Sequence, residues 1–182
     1  NSIHYKSLKK WCRSKKVNYL VVDDLNSKKS LFNLNMIDPD AVIYSGGGIL
    51  KSHFIKAAKE RIINNHSGPL PEVRGLNAIE WSILLGYKTS ITIHLIDKGI
   101  DTGRIISKKE ISIDKESSID DIRDKAVISG VKEIVKIFDG LEDFKSIKIE
   151  PNLSMPIHRQ CYFMSPAIRE ILLRKLKRDI NV

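Results

Sequence analysis

An α/β domain on a largely parallel sheet is predicted by three observations. Apolar runs of strand length alternate with segments of helical periodicity, and glycine, proline and polar residues collect where the runs end. At 182 residues, the chain is also long enough for one well-buried core and short of two.

Taken in order, residues 3–16 predict a short basic helix with Leu8, Trp11 and Cys12 at helical spacing. VNYLVVDD (17–24) is β-rich and closed by two acids, a strand entering a loop. Residues 27–37 form a short helix or turn that stops at Asp38-Pro39-Asp40. AVIYS (41–45) is a second strand and runs directly into Gly46-Gly47-Gly48. A helix around 51–58 precedes a third strand, ERIINNH (60–66), after which Gly68, Pro69 and Pro71 forbid regular structure. Residues 76–86 place Leu76, Ile79, Ile83 and Leu84 on one helical face and end at Gly86.

TSITIHLID (89–97) and RIISKKEISI (104–113) read as two further strands. The clearest helix is 117–138, with Ile119, Ile122, Ala126, Val131, Ile134 and Phe138 as its apolar stripe and Asp120 and Asp121 in its first turn. After Gly140 come a candidate strand at 145–149, Pro151, Pro156 and a basic helix from Pro166 to Lys177. Residues 1–140 therefore read as the main domain and 141–182 as an appendage too small to fold alone.

Composition narrows the class. Apolar residues are 42% and charged residues 29%, ordinary for a soluble globular chain. No apolar run is long enough to span a bilayer, and the basic first residues lack the apolar stretch of a secretory signal, so a cytoplasmic setting is expected. Cys12 and Cys161 fall in no metal-binding spacing; two free thiols are the preferred reading, with a disulfide left open. The net charge of +9 would attract polyanions, but the lysines are scattered rather than interleaved with aromatics, which argues against nucleic acid.

Ligands of α/β sheets bind outside the carboxyl ends of strands. Three segments meet that condition: Ser45–Leu50, Asn64–Gly75 and Ile96–Gly103. The glycine triplet lacks the dinucleotide-binding pattern, yet it lets a flat ring approach backbone N–H and C=O groups. Asn64 and His66 are two apart in a strand and so share a face, where an amide and an imidazole can donate to an oxygen gaining negative charge. Asp97 and Asp101 offer carboxylates for proton transfer. No third His or Cys suits zinc, so no metal is expected, and no serine sits in a nucleophile elbow.

With SGGGIL, INNHSGPLPEVRG and TIHLIDKGIDTGRII in order, the stretch from Pro39 to Ile113 resembles the folate-dependent formyltransferases. The resemblance implies a Rossmann-like three-layer fold and 10-formyltetrahydrofolate as formyl donor. It implies that Asn64 and His66 bind the formyl oxygen, and that Asp101 positions His66 and helps remove the amine's proton. It further implies a pteridine pocket from Gly46, Gly47, Gly48, Ile49, Leu50, Asp97, Gly99 and Ile100, with Ser67, Pro69, Arg74 and Gly75 on the acceptor side. His94 matches a histidine expected to give structural support, and no acyl-enzyme is expected.

Family members start with a further strand and glycine-bearing loop, so an amino-terminally shortened domain is expected. Ser67-Gly68-Pro69 also departs from many relatives. RGLNAIEW (74–81) resembles the nucleotide-sugar N-formyltransferases, which makes a nucleotide-linked amino sugar the expected small-molecule amine. Glycinamide ribonucleotide stands second, followed by water (a hydrolase), methionyl-tRNA, and a non-catalytic folate binder. A homodimer is left open.

Overall fold

The computed structural model describes residues 5–114, 116–153 and 159–179. Residues 3 and 4 of the first expected helix and Pro156 lie outside them. The chain forms α1 (Tyr5–Ser14), α2 (Lys28–Ile37), β1 (Val42–Tyr44), α3 (Ser52–Ala57), β2 (Ile62–His66), β3 (Val73–Gly75) and α4 (Ala78–Leu85). It continues through β4 (Ser90–Leu95), β5 (Ile105–Glu110), α5 (Ile119–Phe138), a single 3-10 turn (Phe144–Ser146), β6 (Arg159–Cys161) and α6 (Pro166–Asp179). The α/β class expected from the sequence is the one observed.

The main sheet has the order β1-β2-β4-β5, and β3 pairs with β6 in a small parallel sheet. β1 and β2 run parallel, whereas β4 runs antiparallel to both β2 and β5. The sheet is therefore parallel on one side and antiparallel on the other. Alternation could not reveal this change of direction, because all six residues of β4 are buried although its neighbours are antiparallel.

β4 divides two environments. Ile91, Ile93 and Leu95 enter the core against α5, while Thr92 and His94 on the opposite face meet the loop after β2 and Asn64. β2 behaves likewise: Ile63 joins the same core, and Ile62 packs with Phe54 and Ile55 of α3 in a second cluster. α5 begins with a capping box in which Ser118 and Asp121 satisfy each other's backbone N–H groups.

Ile119, Ile122, Ala126 and Ile134 of α5 are buried, but Val131, expected on that stripe, is 55% exposed. Gly130 occupies the turn instead: a Cβ there would lie 1.9 Å from the amide nitrogen of Asn65, so the helix comes too close to β2 for a side chain. The tail closes the same core, with Phe144, Leu172 and Leu176 among its buried members.

Three local expectations are corrected. Residues 17–22 form no strand, because no neighbouring strand pairs with them, and Val17, Leu20 and Val21 stay exposed. Leu76 lies before α4 and is exposed. Residues 145–149 give the 3-10 turn followed by a lone bridge between Ile105 and Glu150 instead of a strand. Cys12 and Cys161 are both buried free thiols.

Candidate active site

The antiparallel register of β2 and β4 sets Asn64 opposite His94 and His66 opposite Thr92. That register assembles the site. The ring of His94 is almost fully buried, with Nδ1 2.8 Å from the carbonyl oxygen of Leu95 and Nε2 3.1 Å from Nδ2 of Asn64. A proton on Nδ1 donates to the carbonyl and leaves the Nε2 lone pair to accept from the Asn64 amide. Burial pushes the His94 imidazole below its ordinary value of 6.5, against the opposing pull of Asp101. The neutral tautomer is thus favoured, and one amide hydrogen of Asn64 remains for an oxygen in the cavity.

His66 is buried, and its Nε2 donates to the carbonyl of Val73 at 2.8 Å. Its Nδ1 then faces Oδ2 of Asp101 at 3.4 Å, while Oδ1 of Asp101 lies 3.6 Å from Nε2 of His94. The two rings meet edge-on, 6.3 Å between centroids. The backbone N–H of Gly75 donates to Oδ2 of Asp101 at 2.8 Å. One carboxylate is held between two imidazoles and a backbone donor.

Two loops frame this cluster. The Pro-rich loop after β2 is fixed by Thr92, whose hydroxyl donates to the carbonyl of Gly68 and accepts from the N–H of Leu70. The loop after β4 closes on itself through Asp97, whose Oδ1 accepts from the Gly99 N–H at 2.9 Å and the Thr102 hydroxyl at 2.6 Å.

A cavity of about 140 Å³ opens beside Asn64, His94 and Asp101, walled by Ile49, Leu50, Ile96 and Ile100. Gly48, Asp97 and Gly99 also line it. Gly46 and Gly47 do not; their role is conformational. All three glycines of the triplet have positive φ (+96°, +122° and +89°), which a side chain would strain at each position. The hydroxyl of Tyr44 donates to the Gly48 carbonyl and ties the turn to β1.

Ser67 is half-buried and Pro69 buried in the loop after β2, outside the cavity lining; Arg74 is half-buried in β3. Gly75, expected beside the acceptor, donates its backbone N–H to Asp101. Sequence reasoning missed the structural parts of Tyr44, Thr92 and Asn152. Tyr44 could have been found from its place at the end of β1, and Thr92 from lying two residues before His94 on the same face of β4. Asn152 gave no signal, being far along the chain from the loop it touches. Among the described residues, no three His, Cys, Asp or Glu side chains come together to hold a metal, and no helix is long and apolar enough to cross a membrane.

An amide donor at a cavity, backed by two imidazoles and a half-buried carboxylate, is an arrangement chemically suited to addition to a carbonyl with proton transfer. A family model described as formyl transferase matches residues 15–137, and the chain belongs to that family. Methionyl-tRNA formyltransferase of Finegoldia magna is 28% identical over 75% of this chain and 44% of its own length. The enzyme of the same name from Thermodesulfovibrio yellowstonii is 36% identical over 64% of this chain and 37% of its own. The chain spans less than half the length of these curated relatives.

Among solved structures, the formyltransferase PseJ from Anoxybacillus kamchatkensis, in complex with UDP-4,6-dideoxy-4-formamido-L-AltNAc and tetrahydrofolate, is similar with a TM-score of 0.64. It is 23% identical, and the match covers 93% of this chain and 86% of that one. Phosphoribosylglycinamide formyltransferase from Bacillus halodurans is 25% identical, with a TM-score of 0.59 and coverage of 69% and 70%.

Proposed function

We propose that this chain transfers a formyl group from 10-formyltetrahydrofolate to a primary amine. The observation that carries the reading is the meeting of Asn64 and Asp101 at one cavity, with His94 locking the amide and the buried His66, outside the cavity lining, set against the carboxylate. The residues present suit such a donor. Ile49, Leu50 and Ile96 offer apolar walls to a flat ring, and the backbone of Asp97–Asp101 offers polar edges. A neighbouring cavity of about 320 Å³ shares Ile96, Asp97 and Lys98 with the first and extends the available room.

When bound, the donor supplies an electrophilic formyl carbon. The free hydrogen of the Asn64 amide is placed to donate to the formyl oxygen as it gains charge, while His66, its Nε2–H committed to the Val73 carbonyl, backs Asp101. Asp101 accepts the proton leaving the amine, directly or through water, and holds His66 in place. The amine attacks the carbon itself, the bond from that carbon to the folate nitrogen breaks, and the departing tetrahydrofolate takes up a proton, so no covalent enzyme intermediate forms.

For the acceptor we favour a nucleotide-linked amino sugar. RGLNAIEW supports it, as does the likeness to PseJ, which is in complex with a UDP-linked formamido sugar. Methionyl-tRNA is the second reading, favoured by the names of those same curated relatives. The deciding assay follows tetrahydrofolate release from 10-formyltetrahydrofolate with UDP-linked amino sugars, glycinamide ribonucleotide, methionyl-tRNA or water alone. Asn64→Ala and His66→Ala should each lower the rate about a hundredfold. A near wild-type rate in both would sink the mechanism, and preference for methionyl-tRNA would replace the first acceptor by the second.

A further inference from the structure

The carboxylate of Asp101 sits on the loop after β4, which Asp97 closes from within and a distant segment ties from outside. Asp101 has φ +52°, a left-handed conformation that a non-glycine residue keeps only when its surroundings impose it. At the loop's far end Gly103 is fixed: a Cβ there would lie 1.8 Å from the carbonyl oxygen of Leu95, and the Leu95 N–H donates to the carbonyl of Arg104. Between these points, one side chain from a distant segment bridges the loop. Nδ2 of Asn152 donates to the carbonyl of Asp101 at 3.1 Å and to that of Gly103 at 3.0 Å.

Asn152 is itself anchored. Glu150 and Ile105 exchange two backbone hydrogen bonds, at 2.8 and 2.7 Å, that fasten the segment alongside β5. Only a primary amide supplies two hydrogens to two carbonyls from one nitrogen at this reach, and an aspartate there would turn acceptors toward acceptors. The other end of the amide is not similarly served, because Oδ1 of Asn152 is buried without a hydrogen-bond partner among the described residues.

We propose that Asn152 is a positioning residue for the formyl-transfer reaction. It ties the Asp101 backbone to the fixed Gly103, which keeps the carboxylate between His66 and His94 and on the Gly75 N–H. The inference rests on the functional reading above, because it gives the tie a catalytic purpose. The segment after α5 thereby contributes to the site without touching the cavity.

The test combines turnover with a readout independent of it. In 10-formyltetrahydrofolate turnover, Asn152→Ala should lower kcat about tenfold to a hundredfold. The same substitution made in an Asp101→Asn background should change kcat less than about twofold, because its effect passes through that carboxylate. The imidazole ¹⁵N signals of His66 and His94 in Asn152→Ala should move in the direction seen for Asp101→Asn. Asn152→Ser keeps one donor and should give an intermediate loss, which covers the case of an alanine variant that does not fold. Equal losses in both backgrounds, or wild-type ring signals in both Asn152 variants, would overturn the proposal. If no amine or water is turned over by the unsubstituted protein, the functional reading fails, while the ring signals still decide whether Asn152 places the carboxylate.

Discussion

Lowering the pH should unfasten the site through His94 before it unfolds the domain. The folded imidazole sits below its ordinary 6.5 because it is buried, so between that value and the lowered one the unfolded chain holds a proton that the folded chain does not. Stability attributable to His94 is therefore present above pH 6.5 and lost as the pH falls toward the folded value. The loss reaches at most about 1.4 kcal/mol per pH unit, roughly 3–6 °C in Tm for a domain of this size.

The local effect is sharper. A proton on Nε2 would set two donors, His94 and the Asn64 amide, against each other across 3.1 Å. Asn64 must then rotate, which withdraws its donor from the cavity and gives activity an acidic limb. Urea titrations from pH 5 to 8 on the wild type and His94→Gln measure the global part, and the His94 ring signal measures the titration directly. Parallel loss of stability in the two proteins, together with a ring that titrates at its ordinary value, would refute the reasoning.

Other consequences can be measured on the same preparation. Thr92→Val removes the hydroxyl that joins the Gly68 carbonyl to the Leu70 N–H in a buried setting, and thermal melting should show a loss of about 1–3 kcal/mol. Gly75→Ala should cost more than a typical surface change, because its Cβ would sit 2.2 Å from the Cys161 carbonyl oxygen at φ +93°, and the shift should also disturb the hydrogen bond to Asp101. Leu172→Ala, at a fully buried position of α6, should lower stability by about 2–5 kcal/mol in denaturant titration if the tail closes the core as described. A loss below about 0.5 kcal/mol would show that α6 is not part of it.

The sequence made the site more legible than the architecture around it. Asn64 and His66 could be paired because two residues of an extended strand return to the same face, and the structure sets His66 against Asp101 and Asn64 against His94. The loop of Asp97 was visible as a cluster of Asp and Gly. What stayed hidden was register: nothing in 89–97 states that His94 lies opposite Asn64, since pairing is settled between segments and not within either. Direction was hidden for the same reason. VNYLVVDD has strand composition but no strand partner, and composition carries no information about partners. β3 and β6, three residues each, are too short for any period to appear.

β4 does two jobs with six residues. Its pairing with β5 shifts between Ile93 and His94, so that Ile93 faces Ser107 and His94 faces Ile105. The irregularity is absorbed by β5, and the alternation of β4 itself is never broken. A single inserted residue within β4 would therefore invert everything beyond it, sending an isoleucine into the cavity and a histidine into hydrocarbon. An insertion in the loop before it carries no such penalty, whereas the loop after it holds Asp101 and is as constrained as the strand. Variation among descendants of this chain should accordingly collect between α4 and β4 and spare the strand that partitions cavity from core.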